Sequence, residues 1–277
     1  MRTWSLTSFF NELDVLEIRL AELDPVVDVF VIAESSKTHS GERKPLYFQE
    51  NRERFAPWLD KIRHIVVKFP KLGGAWEREH YQRDQLREGL DGIELNDIVI
   101  LSDVDEILRS DQVRQLQQGR IKVPVNFALP VHVYRLNWRW PSEHSFARIH
   151  VFRGKDVHKW SLQKNFERPV KSIQGEHGWH FSYMGDAEAI ALKIRSLADE
   201  WIKADPSWAE REQVERSIQT GADLFGRPDR QAMWVPDDRL PEYVQANRER
   251  FSHLLIPCPA SSSPARRASS ELISAGS

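Results

Sequence analysis

The chain has 277 residues, of which 40% are hydrophobic and 29% charged. That mixture belongs to a globular protein with one large domain or two small ones. Its 39 Lys and Arg against 41 Asp and Glu leave a formal net charge of -2, so no global basic field exists to attract nucleic acid. The single cysteine, Cys258, excludes an internal disulfide and a cysteine zinc site. No apolar run approaches the roughly 18 residues that a membrane span needs, and the opening "MRTWSLTSFFNELD" is amphipathic rather than a leader. The expectation is a soluble, cytoplasmic protein without a transmembrane segment.

Phe9, Leu13, Leu16, Leu20 and Leu23 recur at helical spacing and predict one buried helix face. Asp24-Pro25 ends that helix. Residues 26–35, "VVDVFVIAES", read as a buried strand, followed by the polar loop "THSGERKP". Residues 62–69 predict a second strand, 77–90 a helix, 98–101 a third strand and 110–118 a short helix. This alternation predicts a mostly parallel, Rossmann-like sheet flanked by helices, an α/β fold.

After Gly119 the pattern changes. "VNFALPVHVYRLNW", "SFARIHVFRG" and "HGWHFSYMG" are strand-like, with no helical run between the first two. Helical patterns return at 186–204 and 208–220, and a last helix follows Pro241, a residue suited to a first turn. The organisation predicted is one domain over 1–256, with a nucleotide-sugar-binding half (1–120) and a mixed-strand acceptor and metal half with C-terminal helices (121–256). Residues 257–277, rich in Ser, Ala and Pro, read as a disordered tail.

The chemistry concentrates in "NDIVILSDVDEILRSD". Asp103 and Asp105 stand just past a buried strand, at the end where open α/β sheets place ligands. Two residues apart, both carboxylates point the same way if the segment is extended, and Val104 and Glu106 point oppositely. Such a pair suits Mg²⁺ or Mn²⁺, which keeps coordination positions for phosphate oxygens. Two other readings compete: acidic residues ahead of a helix N-terminus, and a haloacid-dehalogenase-type phosphatase with Asp103 as nucleophile. Against the phosphatase, Ile107 stands where that family has Thr or Val, and the motif closes the third predicted strand rather than the first.

Four segments carry a resemblance to a known family. Residues 9–48, "QRDQLREGL" (82–90), "DIVILSDVDEILR" (97–109) and "GWHFSYMG" (178–185) resemble glycosyltransferase family 17, the family of the β-1,4-mannosyl-glycoprotein 4-β-N-acetylglucosaminyltransferases. The match runs in order over residues 7–255. Leu108 departs from it, standing where the family usually has Pro. The resemblance implies a GT-A-like fold, a UDP-sugar donor, with UDP-GlcNAc expected, an inverting transfer to a glycan acceptor, and Mn²⁺ or Mg²⁺ as cofactor. It implies that Asp105 ligates the metal and that Asp103 holds ribose or a metal-bound water. Glu34, Ser35, Thr38 and Gly41 fall where the nucleotide is received. Arg83 is expected to pair with diphosphate or hold Asp103.

His180 is a candidate third metal ligand, its ring nitrogen favouring Mn²⁺, with Trp179 and Phe181 on the opposite strand face. Trp138 and Trp140 are candidates for an acceptor-sugar platform. An inverting transfer needs a base near the metal but not on it. Glu176, just before the GWHFS strand, is preferred, and Asp186, just after it, is the second choice. A non-catalytic sugar-binding module with Ca²⁺ in the acidic cluster remains the non-enzymatic alternative.

Overall fold

The computed structural model describes residues 1–141 and 146–258; most of the predicted tail lies outside the described residues. Strand β1 (Thr3–Ser8) leads into helix α1 (Leu13–Leu23), β2 (Val29–Ser35), the short α2 (Tyr47–Glu50), β3 (Ile62–Val67), α3 (Ala75–Gln85) and β4 (Ile98–Leu101). Then come β5 (Glu106–Leu108), α4 (Ser110–Gln117), β6 (Val125–Leu129), β7 (Val131–Val133), β8 (Trp138–Arg139) and β9 (Phe146–Arg153). Helices α5 (Gly154–Lys159) and α6 (Leu162–Glu167) precede β10 (Ser172–Gln174) and β11 (Gly178–Ser182). The chain continues through α7 (Ala187–Ser196), α8 (Glu200–Lys203), α9 (Arg211–Thr220), β12 (Met233–Trp234) and α10 (Glu242–Ala246). Among the described residues no helix is long and apolar enough to cross a membrane.

The architecture is mixed α/β, with a central sheet flanked by helices. The seven-stranded sheet has the order β10-β6-β9-β4-β1-β2-β3. Strands β4, β1, β2 and β3 are mutually parallel, and β9 runs antiparallel between β4 and β6. Strand β1 lies at the centre of the parallel part, although its sequence was not read as a strand. A second sheet, β12-β8-β7-β11-β5, leaves from the carboxyl end of β4, because β5 follows the acidic segment directly.

Alternation along the parallel strands distributes one apolar run between two cores. Ile98 and Ile100 face the cluster that contains Leu16, Ile18 and Leu20 of α1. Val99 and Leu101 face the opposite cluster, with Trp4, Leu6 and Leu86. A third cluster joins β7 to α7 and α9 through Val133, Ile190, Ile194 and Val214.

Helix α1 also buries charge. Glu17 accepts hydrogen bonds from Arg54 Nε at 2.6 Å, Arg250 Nη2 at 2.7 Å and Tyr243 Oη at 2.8 Å. The segment that follows α10 is thereby fastened to the first helix, and Leu136 and Asn137 fasten it again through the backbone of Leu254 and Ile256.

Candidate active site

Between the carboxyl ends of the parallel strands and the second sheet lies a cleft of about 410 Å³. Its floor is the segment after β4, which is a turn rather than an extended run: the Glu106 amide donates to the Asp103 carbonyl at 3.2 Å. The extended reading of residues 103–106 is therefore corrected. Asp103, Val104, Asp105 and Glu106 all border the cleft, and the two aspartates have separate environments.

The turn is held from below by Arg19 of α1, which is 1% exposed. Its Nη1 donates to the carbonyls of Asp103 at 3.2 Å and Glu106 at 2.6 Å, and its Nη2 to Ser5 Oγ at 3.0 Å. Burial pulls the Arg19 pKa down to about 10 while Glu106, Asp105 and Asp103 oppose the fall, so the guanidinium stays charged at neutral pH.

Asp103 is half-exposed, and Arg83 Nη2 of α3 stands 3.4 Å from its Oδ1 and 2.9 Å from Glu79 Oε1. The contact with Asp103 is the geometry that one of the two roles expected for Arg83 calls for. The guanidinium is stacked 4.1 Å from the centre of the Phe166 ring. Burial and the Asp103 charge both push the Glu79 carboxyl up, with Arg83 opposing.

Asp105 is buried at 6% exposure. Its Oδ2 lies 2.8 Å from Lys193 Nζ of α7, which is also 2.9 Å from Glu12 Oε1. Its Oδ1 lies 3.8 Å from His180 Nε2 of β11. Burial favours the neutral acid, but Lys193 and His180 outweigh it and hold the carboxyl below its ordinary value. Burial also disfavours the charged Lys193, and the Asp105 and Glu12 carboxylates reverse that and raise its pKa.

His180 is aimed by strand register. It pairs with Glu106 across β5 and β11, while Trp179 and Phe181 turn into the core, their rings 6.4 Å apart and nearly parallel, as alternation predicts. The register depends on Gly178: a Cβ there would lie 2.0 Å from the Ile107 carbonyl oxygen. Tyr183, immediately after β11, borders the cleft with a positive φ of 53°, an unfavourable backbone for a bulky residue.

The 3.8 Å gap between Asp105 Oδ1 and His180 Nε2 is too long for a hydrogen bond and shorter than two metal–donor bonds of about 2.1 Å end to end. One divalent ion therefore fits both atoms, and Asp103 and Glu106 of the same motif also border the cleft. Among the described residues no three His, Cys, Asp or Glu side chains converge into a ready-made metal centre, so the donor set suits an ion that completes its shell with substrate oxygens.

Thr38 borders the cleft with Lys37, His39 and Lys44. Glu34 does not, which corrects its expected nucleotide role. It is fully buried, its oxygens accept the amides of Phe48 at 3.1 Å and Gln49 at 3.0 Å, and His64 Nε2 lies 2.8 Å away. Ser35 is also turned inward, its Oγ accepting the Lys37 amide at 3.2 Å. Gly41 lies away from the cleft lining and serves the loop's turn, with φ of 102°.

Both expected bases are corrected too. Glu176 is exposed and paired with Arg139 at 2.6 Å, outside the cleft lining. Asp186 caps α7, accepting the Ala189 amide at 2.9 Å. Trp138 packs against the third core without bordering the cleft, whereas Trp140 does border it. Residues the sequence reading missed are Arg19, Lys193, Glu12, Asp199, Trp201 and Phe225. Arg19 and Lys193 carried a signal: each sits three residues after an apolar position and four before another, Leu16 and Leu23, Ile190 and Leu197, so each charge falls on a helix's inward face.

Fold and cleft together define an α/β protein with an acidic turn at the carboxyl end of its parallel sheet. The model of glycosyltransferase family 17 matches residues 2–259, and the chain belongs to that family. It is similar to the β-1,4-mannosyl-glycoprotein 4-β-N-acetylglucosaminyltransferase of Homo sapiens, at 26% identity over 289 aligned positions, covering 88% of this chain and 53% of that protein. The Rattus norvegicus protein of the same name matches with the same identity and coverage. The chain thus spans about half the length of these relatives. Among solved structures, a 2-C-methyl-D-erythritol 4-phosphate cytidylyltransferase from Francisella tularensis matches at TM-score 0.37 and 11% identity, covering 63% of this chain and 90% of that one. HddC from Yersinia pseudotuberculosis matches at TM-score 0.38 and 13% identity, with the same coverage.

Proposed function

We propose that the protein is a GT-A-like, inverting glycosyltransferase that moves N-acetylglucosamine from UDP-GlcNAc to a glycan hydroxyl in β linkage. The observation that carries this reading is the position of Asp105, buried at the end of β4 beside His180, in a chain whose family match spans residues 2–259.

In this reading the nucleotide lies over the carboxyl ends of β1, β2 and β4, against Thr38. Lys44 faces the diphosphate; its ammonium is half-buried between the Phe10 and Tyr47 rings, and burial lowers its pKa. Arg83 fixes Asp103 in one orientation. Asp105 and His180 would hold Mn²⁺ or Mg²⁺, which would supply positive charge against the departing diphosphate. The acceptor sugar lies on the other wall, where Trp201, 51% exposed, is backed edge-on by Trp208 and Phe225 at 5.6 and 5.3 Å. A flat, braced and exposed aromatic face suits a pyranose ring. Asp199 is the carboxylate that the 121–256 half contributes to the cleft among the described residues, and we assign it the proton of the attacking hydroxyl.

A donor screen tests this reading. UDP release from UDP-GlcNAc, UDP-glucose and UDP-galactose is measured with Mn²⁺ and with EDTA, then with a glycan acceptor panel. Preference for UDP-GlcNAc with loss in EDTA is expected. Undiminished turnover in EDTA removes the metal, and preference for another sugar removes the donor assignment.

A further inference from the structure

The acidic turn carries counter-charges of its own, in Arg19, Arg83 and Lys193. Five carboxylates border the donor end of the cleft: Glu12, Glu79, Asp103, Asp105 and Glu106. Cationic side chains meet them. Arg19 lies beneath the turn, Arg83 and Lys193 stand in the wall, and Lys37 and Lys44 are on the nucleotide side. Lys193 is the cation placed directly on Asp105.

This placement has a consequence for any divalent ion at Asp105 Oδ1. The ion shares one carboxylate with an ammonium 2.8 Å from the other oxygen. Two cations that close, in a half-buried cleft, repel well inside one screening length. Lys193 cannot easily swing away, because Glu12 holds it from the opposite side at 2.9 Å. A diphosphate that arrives with the ion restores the balance.

We propose that Lys193 is an internal counter-ion that keeps the subsite closed to a bare divalent ion and opens it to the ion and a nucleoside diphosphate together. The inference rests on the metal reading above and adds an order of binding to it. Coupling of this kind is reciprocal: UDP must tighten Mn²⁺ by the factor by which Mn²⁺ tightens UDP.

The test is calorimetric titration of Mn²⁺ into the full chain, with and without UDP, for the wild type and Lys193→Gln. In the wild type Mn²⁺ alone binds weakly and UDP strengthens it strongly. In Lys193→Gln, Mn²⁺ alone binds at least about tenfold tighter, and the coupling to UDP shrinks by a similar factor. Glu12→Gln/Lys193→Gln relieves Glu12 of the loss of its ammonium partner, leaving Asp105 as the one carboxylate of the bridge without Lys193, and is expected to show the same change should the single variant fail to fold. Unchanged Mn²⁺ affinity and coupling in the folded variants overturn the role of Lys193 while leaving the metal reading in place. No Mn²⁺ uptake by any of the proteins, even with UDP, overturns both.

Discussion

Lys193 Nζ lies 2.8 Å from Asp105 Oδ2 and 2.9 Å from Glu12 Oε1, so one ammonium ties together three separate parts of the chain. Glu12 precedes α1, Asp105 follows β4, and Lys193 sits on α7 in the other half. The bridge is electrostatic and sits inside the cleft, so a change at any member alters both the site and the packing of the two halves.

Asp105→Asn is accordingly expected to abolish turnover and weaken UDP–Mn²⁺ binding by tenfold or more, and also to lower the melting temperature. Lys193 keeps Glu12 but loses a charged partner in a half-buried place, a loss of about 1–3 kcal/mol. Calorimetric melting and UDP titration check both parts. A rise in melting temperature would mean that Asp105 is a strained charge awaiting a metal.

Arg19→Met is expected to destabilise the protein by about 3 kcal/mol or more, because two carbonyls of the acidic turn and Ser5 lose their donor in the interior. Arg19→Lys does not restore it, since a single ammonium cannot reproduce the fork that spans them. Denaturant midpoints of the two variants read this directly; full recovery by Lys argues that charge alone matters there.

Gly178→Ala places a Cβ 2.0 Å from the Ile107 carbonyl oxygen. Backbone must move, at a cost of about 3 kcal/mol, and the β5–β11 register that aims His180 moves with it. Loss of stability together with weaker Mn²⁺ binding in the presence of UDP is expected. A stable variant with normal binding shows that the two strands can separate without disturbing the site.

Two histidines, half-buried His39 and fully buried His132, set an acid limit. Burial lowers the pKa of His39 to about 4 and that of His132 to about 3, against about 6.5 in the unfolded chain. The unfolded state takes up these protons first, so stability present above pH ~6.5 is lost as pH falls toward the folded values. Each histidine accounts for about 2 kcal/mol of loss by pH 5. Comparing the stability of His132→Asn with wild type between pH 7 and 5 cancels the other groups; the difference should narrow by that amount as the pH falls. Parallel profiles would show that His132 is protonated in the fold.

Asp199→Asn should reduce glycosyl transfer by about 10²–10⁴ while UDP–Mn²⁺ binding holds. Glu176→Gln and Asp186→Asn should be near wild type in transfer, since neither borders the cleft. If Glu176→Gln is the crippling change, Arg139 and its neighbourhood must close over the acceptor.

Strand β4 and the helical face of α1 were legible because four consecutive aliphatic residues, or an apolar residue every three or four, have few alternatives. That His180 faces away from Trp179 and Phe181 followed from strand alternation alone. Strand β1 was hidden because Thr3, Ser5 and Thr7 alternate with Trp4 and Leu6 as if half-exposed, yet all five are buried. Arg19 satisfies Ser5 and Gln117 satisfies Thr3, from places no local pattern shows. The bases were sought beside β11 in sequence, but that strand runs out of the cleft: His180 is opposite Glu106 while Gly178 is already opposite Leu108. At about 3.3 Å per residue, Glu176 is carried well away from His180. Long-range charge pairs such as Lys193 with Asp105 leave only the weak trace of a cation on an inward helix face.

The clasp on Glu17 has a consequence for how the molecule comes apart. Arg250 and the Tyr243 hydroxyl reach Glu17 from 233 and 226 positions further along the chain. Detaching their segment leaves the carboxylate Arg54 but takes away its two other donors in a buried place. Loosening there unseats α1, and with it the acidic turn that rests on Arg19 of the same helix.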